Sequence, residues 1–270
     1  MQSLVDYETL RDGRVAVLTL NDPPVNGYTH EMMRALDDAV IRARFDEKVN
    51  VLVLTGAGEK FFCAGANIEV LRAMAPHYKY YFCLHANETL SRLEQTPKLV
   101  LAALNGHCVG GGLEVALACD IRLGRTQGGK DCGKVGLPEV HLGVLPGTGG
   151  TQRLARILGK SQAIERMALG QNMGLEEARS LGLVDRVLDA PTHAEWFERV
   201  VDYAAQFCVP GRASMAVGHI KRAVQSGAEM ALESGLALER ELQAKLFASA
   251  DAKEGMAAFL EKRPPQFRGE

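Results

Sequence analysis

Short apolar runs bounded by glycine and proline breaks alternate with stretches of helical periodicity over the first two thirds of the chain. Leu4–Leu10 and Val15–Leu20 flank Asp12-Gly13-Arg14, a hairpin pattern. Val51–Thr55 and Leu99–Leu104 are continuous apolar runs of strand length, and Leu183–Leu188 reads as a last short strand. Between them, Thr29 is an N-cap candidate for a helix carrying Met32, Met33, Leu36, Val40 and Ile41. A loop after Phe61 is expected to turn helical at about Ala66. A long helix is expected over Tyr78–Gln95, ended by Pro97. Gly110, Gly111 and Gly112 open a helix through Leu113–Cys119. Thr151–Leu158, Ser161–Leu169 and Leu175–Leu181 form shorter helices separated by glycines. From about Pro191 the pattern is helical throughout, with Met230, Leu232, Leu236 and Leu238 at apolar positions. The alternation predicts an α/β core over residues 1–190 and a helical region over 191–270.

Chemistry concentrates between Leu99 and Gly150. Glu114 falls in the first turn of a helix that starts on three glycines, where backbone N–H groups are uncovered and the helix dipole favours an ionised carboxylate. Glu139 lies between Leu137-Pro138 and Val140, surroundings that raise a carboxyl pKa on burial. Two carboxyl groups whose environments push their pKa values apart form an acid/base pair. The plainer reading is a solvated capping glutamate and an ordinary loop glutamate. An internal echo weighs against it: the strand Val51–Thr55 runs through glycines to Gly65-Ala66, as Leu99–Leu104 runs through glycines to Gly111. Side by side, two such junctions can aim two backbone N–H groups at one oxygen, as in an oxyanion hole; the alternative, which the two glutamates count against, is a pair of ordinary glycine-rich connections.

Composition narrows the field. The 270 residues carry 31 Lys+Arg against 33 Asp+Glu, a net charge of −2 that gives no basic footprint for nucleic acid. The six cysteines include no CxxC pair and lie mostly in apolar runs, which fits reduced thiols rather than disulfides or a metal site. No run is long enough to span a membrane and no N-terminal targeting pattern stands out, so the expected compartment is the cytoplasm. Gly147-Thr148-Gly149-Gly150 lacks the lysine of a phosphate-binding loop, and neither a nucleophile elbow nor an HExxH occurs.

Four segments resemble those of the crotonase, or enoyl-CoA hydratase/isomerase, superfamily. They are FFCAGANI (61–68), LNGHCVGGGLEVALACDIRL (104–123), LPEVHLGVLPGTGGTQRL (137–154) and KEGMAAFLEKRPPQF (253–267). The resemblance implies a right-handed spiral of ββα units followed by a C-terminal helical trimerisation region, assembled as a homotrimer or as two stacked trimers. It places the oxyanion donors at Ala66 and Gly111, the two carboxylates of a hydratase at Glu114 and Glu139, and the glycine beside the reacting water at Gly147. Ala64 and Ile68 match positions lining the CoA channel. Phe259 and Lys262 match positions that touch the CoA adenine or phosphates, often from a neighbouring subunit. Three departures stand out: Asn67 where an Asp is common, Glu69 where a basic residue often meets CoA phosphate, and an insertion at Gln127–Lys134.

The implied reaction is reversible syn hydration of a 2-trans-enoyl-CoA to a 3-hydroxyacyl-CoA, with no metal or redox cofactor, CoA being part of the substrate. Double-bond isomerisation, cyclic enoyl-CoA hydration and thioester hydrolysis use the same oxyanion hole and remain alternatives. So does a non-catalytic acyl-CoA- or RNA-binding relative, against which the retained glutamates and near-neutral charge both count.

Overall fold

The computed structural model describes residues 3–270. The first strands, β1 (Val5–Leu10) and β2 (Val15–Leu20), pair antiparallel as the hairpin pattern predicts. Helix α1 (His30–Phe45) follows, and Thr29 caps it: its Oγ1 accepts the Met32 N–H at 3.3 Å. Met32, Met33, Leu36 and Val40 form its buried stripe. Thr29→Ala leaves that N–H uncapped and is expected to lower stability by about 1 kcal/mol, read as a shift of the urea midpoint.

The chain then repeats one unit. Strand β3 (Val51–Gly56) leads to the short β4 (Phe61–Cys63) and to helices α2 (Ile68–Ala73) and α3 (Pro76–Glu94). Strand β5 (Leu99–Leu104) leads to β6 (His107–Val109) and α4 (Gly111–Leu117). Strand β7 (Ile121–Gln127) leads through β8 (Lys130–Asp131) to β9 (Val135–Gly136), a one-turn 3₁₀ helix at Glu139–Leu142, and α5 (Gly150–Leu158). In each unit the first strand joins a large sheet and a later, short one joins a second sheet. The large sheet runs β1-β2-β3-β5-β7-β11, where β11 is Arg186–Asp189, with β8 hung on β7. The small sheet runs β10-β9-β6-β4, where β10 is Asn172–Met173. Helices α6 (Lys160–Leu169) and α7 (Leu175–Ser180) connect these late strands.

Continuous apolar strands are buried on both faces. Val15, Val17, Val51, Val53, Leu101, Ala103 and Leu123 turn toward Trp196, Val200 and Ala204 of α8 (His193–Ala205). The alternate residues, among them Leu18, Leu52, Leu54, Val100 and Leu104, face the core that holds α1, α3 and α4. Helices α9 (Ser214–Gly227), α10 (Leu232–Phe247) and α11 (Ala250–Leu260) complete the chain. Past them the last residues are not helical, contrary to the expectation of helix throughout. They fold back on α11, where the Asp251 carboxylate accepts the N–H groups of Arg268 and Gly269.

Other boundaries also move, for local reasons. The helix expected at about Ala66 begins at Ile68, because Ala66 is held in a bridge to Tyr28 and the Asn67 side chain caps the Val70 N–H. The long helix starts at Pro76 rather than Tyr78, proline being favourable where the first-turn N–H has no partner. The last strand begins at Arg186, since the Leu183 and Val184 N–H groups turn back to the Ala178 carbonyl. The Gln127–Lys134 insertion is a hairpin extension of β7, with Gly128 and Gly129 at its turn and Asp131 bonded to the Leu175 N–H. All six cysteines are free thiols, and no described helix is long and apolar enough to cross a membrane.

Candidate active site

The small sheet brings the two glycine-rich junctions together. Strands β4 and β6 pair in parallel with Cys63 opposite Cys108. Three residues beyond each partner lie Ala66 and Gly111, so the shared register delivers both to the same end of the sheet. Gly65 makes the close approach possible: at φ +93° it takes a conformation that side chains disfavour, and a Cβ there would stand 2.9 Å from the Gly111 nitrogen. The bridge to Tyr28 occupies the neighbours of Ala66, with the Tyr28 N–H on the Gly65 carbonyl and the Asn67 N–H on the Tyr28 carbonyl, each at 3.0 Å. No acceptor among the described residues takes the Ala66 or Gly111 N–H.

Glu114 is 2% exposed and one turn into α4. Its carboxylate is held from the far side by the loop that starts α5. Oε1 accepts the Thr148 N–H at 2.8 Å and the Gly150 N–H at 2.7 Å, and Oε2 accepts the Thr148 hydroxyl. From the sequence, the start of α4 is expected to keep this group ionised. In the structure the donors come instead from Thr148 and from the first residue of α5. Burial raises the Glu114 pKa, opposed by those donors and by Arg153.

Glu139, at the start of the 3₁₀ turn, has the opposite environment. Its Oε1 lies 3.2 Å from where a Cβ on Gly110 would sit, which sets it against the α4 entrance. Its Oε2 is buried with no hydrogen-bond partner. Burial and the nearby Glu114 charge raise its pKa to about 7, with its own backbone N–H acting the other way. A donor-rich carboxylate and a donor-poor carboxyl thus lie close enough for the charge of one to act on the other, with Glu139 against the α4 entrance next to Gly111. That arrangement suits proton transfer on a substrate whose carbonyl oxygen gains charge.

The remaining residues singled out from sequence divide into two groups. Gly147 lies in the Thr148 loop, its carbonyl accepting from Asn87 Nδ2 of α3 at 3.2 Å and its Cα facing the Cys83 thiol. Ala64 is half-buried just after β4, and Ile68, 51% exposed, opens α2. Phe259 and Lys262 lie at the end of α11, a helix packed on α10, and Phe259 is 83% exposed; within one chain they do not meet the glutamates. Sequence reasoning missed Tyr28, Asn87, Thr148 and Arg153. Tyr28 packs under Gly111 and stacks on Phe82, ring centroids 5.7 Å apart. Arg153 pairs with Glu94 at 2.9 Å and anchors α5 to α3. Only Thr148, inside the glycine-rich GTGG, carries a signal in the sequence, and the missing lysine that excludes a phosphate-binding loop says nothing of its hydroxyl.

The chain belongs to the enoyl-CoA hydratase/isomerase family, whose profile matches residues 11–270, and it has the crotonase fold. The short-chain-enoyl-CoA hydratase of Clostridium acetobutylicum is 35% identical over 94% of each chain. The mitochondrial methylglutaconyl-CoA hydratase of Mus musculus is 33% identical over 91% of this chain and 76% of that protein. Among solved structures, an enoyl-CoA hydratase from Geobacillus kaustophilus HTA426 superimposes with a TM-score of 0.92 at 42% identity, covering 100% of this chain and 98% of that one. An enoyl-CoA hydratase from Bacillus anthracis gives 0.91 at 30% identity, covering 99% and 100%.

Proposed function

We propose that this protein is a hydratase adding water reversibly across the double bond of 2-trans-enoyl-CoA thioesters to give 3-hydroxyacyl-CoA. The observation that carries the proposal is the contrast between Glu114, with three donors, and Glu139, with a buried oxygen that has none. The thioester oxygen lies between the N–H groups of Ala66 and Gly111, each such donor contributing about 3 kcal/mol as negative charge collects there. Glu114 accepts a proton from water as the water oxygen bonds to Cβ and the π electrons move toward the carbonyl. Glu139 delivers its proton to Cα. Double-bond isomerisation adds no water and can be carried by one carboxyl group, which favours hydration over it. The names of the relatives point the same way.

Ala64 and Ile68 are assigned to the CoA channel and Gly147 to the wall beside the water. Helices α9 to α11 leave Ile220, Val224, Leu232, Leu236, Phe247, Met256 and Leu260 exposed, which supports a homotrimer or a dimer of trimers. In that assembly Phe259 and Lys262 reach the CoA of a neighbouring subunit. Light scattering on the eluting protein tests the assembly; a monomer would remove it.

The active form carries one proton on the pair: Glu114 ionised with Glu139 protonated for hydration, and the reverse for dehydration. These are two arrangements of one protonation state, so kcat/KM has the same bell shape in both directions. The alkaline limb falls as pH rises through the value of about 7 set by Glu139. Initial rates measured by the ultraviolet absorbance of the conjugated thioester check this. Hydration that keeps rising well above neutrality would remove Glu139 as the acid, and no absorbance loss at high enzyme concentration would sink the hydratase reading.

A further inference from the structure

We propose that Thr148, with Tyr28 behind it, is a positioning residue that fixes the Glu114 carboxylate and reverses its hydrogen-bond direction as Glu114 gains and loses a proton. The proposal rests on the hydratase reading for its consequence in turnover, and on the geometry alone for its effect on Glu114.

Three buried groups stand in line. The Tyr28 hydroxyl lies 3.4 Å from Thr148 Oγ1, and Thr148 Oγ1 bonds Glu114 Oε2. Tyr28 is 3% exposed and Thr148 is 3% exposed, so water does not compete for these bonds. A carboxylate only accepts, which forces the Thr148 hydroxyl to donate to it and leaves the threonine lone pairs for the Tyr28 O–H. Once Glu114 takes a proton onto Oε2, it has a hydrogen to give. Thr148 then accepts from Glu114 and turns its own hydrogen toward the Tyr28 oxygen. Each O–H rotates, no bond to carbon changes, and both charge states of Glu114 stay satisfied in the same place. Oε1 is meanwhile pinned by the Thr148 and Gly150 N–H groups, which cannot reverse. The carboxylate is thus clamped on one oxygen and adjustable on the other.

The other groups around Glu114 do not supply this service. Arg153, from α5, acts on it only through its charge and is engaged by Glu94 and the Thr148 carbonyl. Glu139, from the 3₁₀ turn, has no partner on Oε2, and the Cys83 thiol of α3 is raised by burial and by the Glu114 charge.

Thr148→Val, Thr148→Ser and Tyr28→Phe test the proposal. The direct readout is the pH titration of the Glu114 carboxyl band, isolated in infrared difference spectra against Glu114→Gln, which needs no turnover. Thr148→Val is expected to move that titration upward, because the bond Thr148 gives the carboxylate is charge-assisted and stronger than the one it accepts from the acid, and to lower kcat about tenfold with little change in KM. The acid limb of the rate profile follows the titration. Thr148→Ser restores both, and Tyr28→Phe gives a smaller shift in the same direction. A Thr148→Val protein that keeps its urea midpoint, with the Glu114 titration and rate profile both unmoved, overturns the proposal. If Thr148→Val fails to fold, a Tyr28→Phe titration identical to wild type overturns it equally. A wild-type protein inert toward every enoyl-CoA sinks the hydratase reading alone, because the infrared titration still decides the role of Thr148.

Discussion

Glu139→Gln is expected to lower kcat for hydration of crotonyl-CoA by about 10²–10⁴-fold while thioester binding largely survives. The side chains match in size, but the amide has no proton to deliver to Cα. Glu139 Oε2 has no hydrogen-bond partner, so the exchange breaks no bond to that oxygen and removes a group whose ionised form burial disfavours. Stability should therefore hold or rise slightly, and the loss of rate isolates the chemistry. Glu114→Gln behaves differently. Its two oxygens accept three donors; an amide nitrogen on the Oε1 side sets donor against two N–H groups, and on the Oε2 side, where the Thr148 hydroxyl can turn to accept it, the exchange still replaces charge-assisted bonds by weaker neutral ones. Turnover falls by a similar factor, but here the urea midpoint falls as well. Because the two groups act on one substrate in one step, the double variant should lose far less than the product of the single losses. Steady-state rates with equilibrium binding of a CoA thioester measure all of this. Near-normal turnover by Glu139→Gln would take that residue out of the reaction.

How much of this was legible beforehand depended on whether a feature is local. The large-sheet strands were readable because burial on both faces writes itself as uninterrupted apolar runs, as in Val51–Thr55 and Leu99–Leu104. The carboxyl pair was readable because each glutamate carries its environment in its neighbours: glycines before Glu114, Leu137 and Pro138 before Glu139. Partners that arrive from elsewhere in the fold left no trace. Thr148 lies 34 residues from the carboxylate it serves, and Tyr28 lies 120 residues from Thr148. The small sheet was equally silent, since β4, β6 and β9 have three, three and two residues, too short for a period to appear. Yet that sheet is what brings Ala66 and Gly111, the proposed oxyanion donors, to one end. The misplaced start of α2 has the same origin: alanine has the highest helical propensity of any residue, and at Ala66 a long-range bridge to Tyr28 overrides it.

That dependence on a short sheet makes Gly112 the most sensitive backbone position near the site. A Cβ on Gly112 would lie 2.1 Å from the Cys63 carbonyl oxygen and 2.7 Å from its carbon. Both are backbone atoms of β4, so no side chain can swing aside. Gly112→Ala must push α4 and β4 apart by on the order of 1 Å, at a cost of about 1–3 kcal/mol. The same movement breaks the matched register of Cys63 and Cys108, and with it the proposed convergence of the Ala66 and Gly111 N–H groups. Oxyanion donors work only within about 0.2 Å of their bonding distance, so the expected loss is that of one donor, about 10²–10³-fold in kcat. Gly211→Ala is the control, because among the described residues its Cβ would meet only the Cys208 carbonyl oxygen, at 3.8 Å, and it should leave stability and rate almost unchanged. Urea unfolding reads the first effect. The red shift of a bound enoyl thioester, which reports polarisation of its carbonyl, reads the second. If Gly112→Ala loses stability but keeps that shift and the wild-type kcat, the two N–H groups do not hold the thioester oxygen.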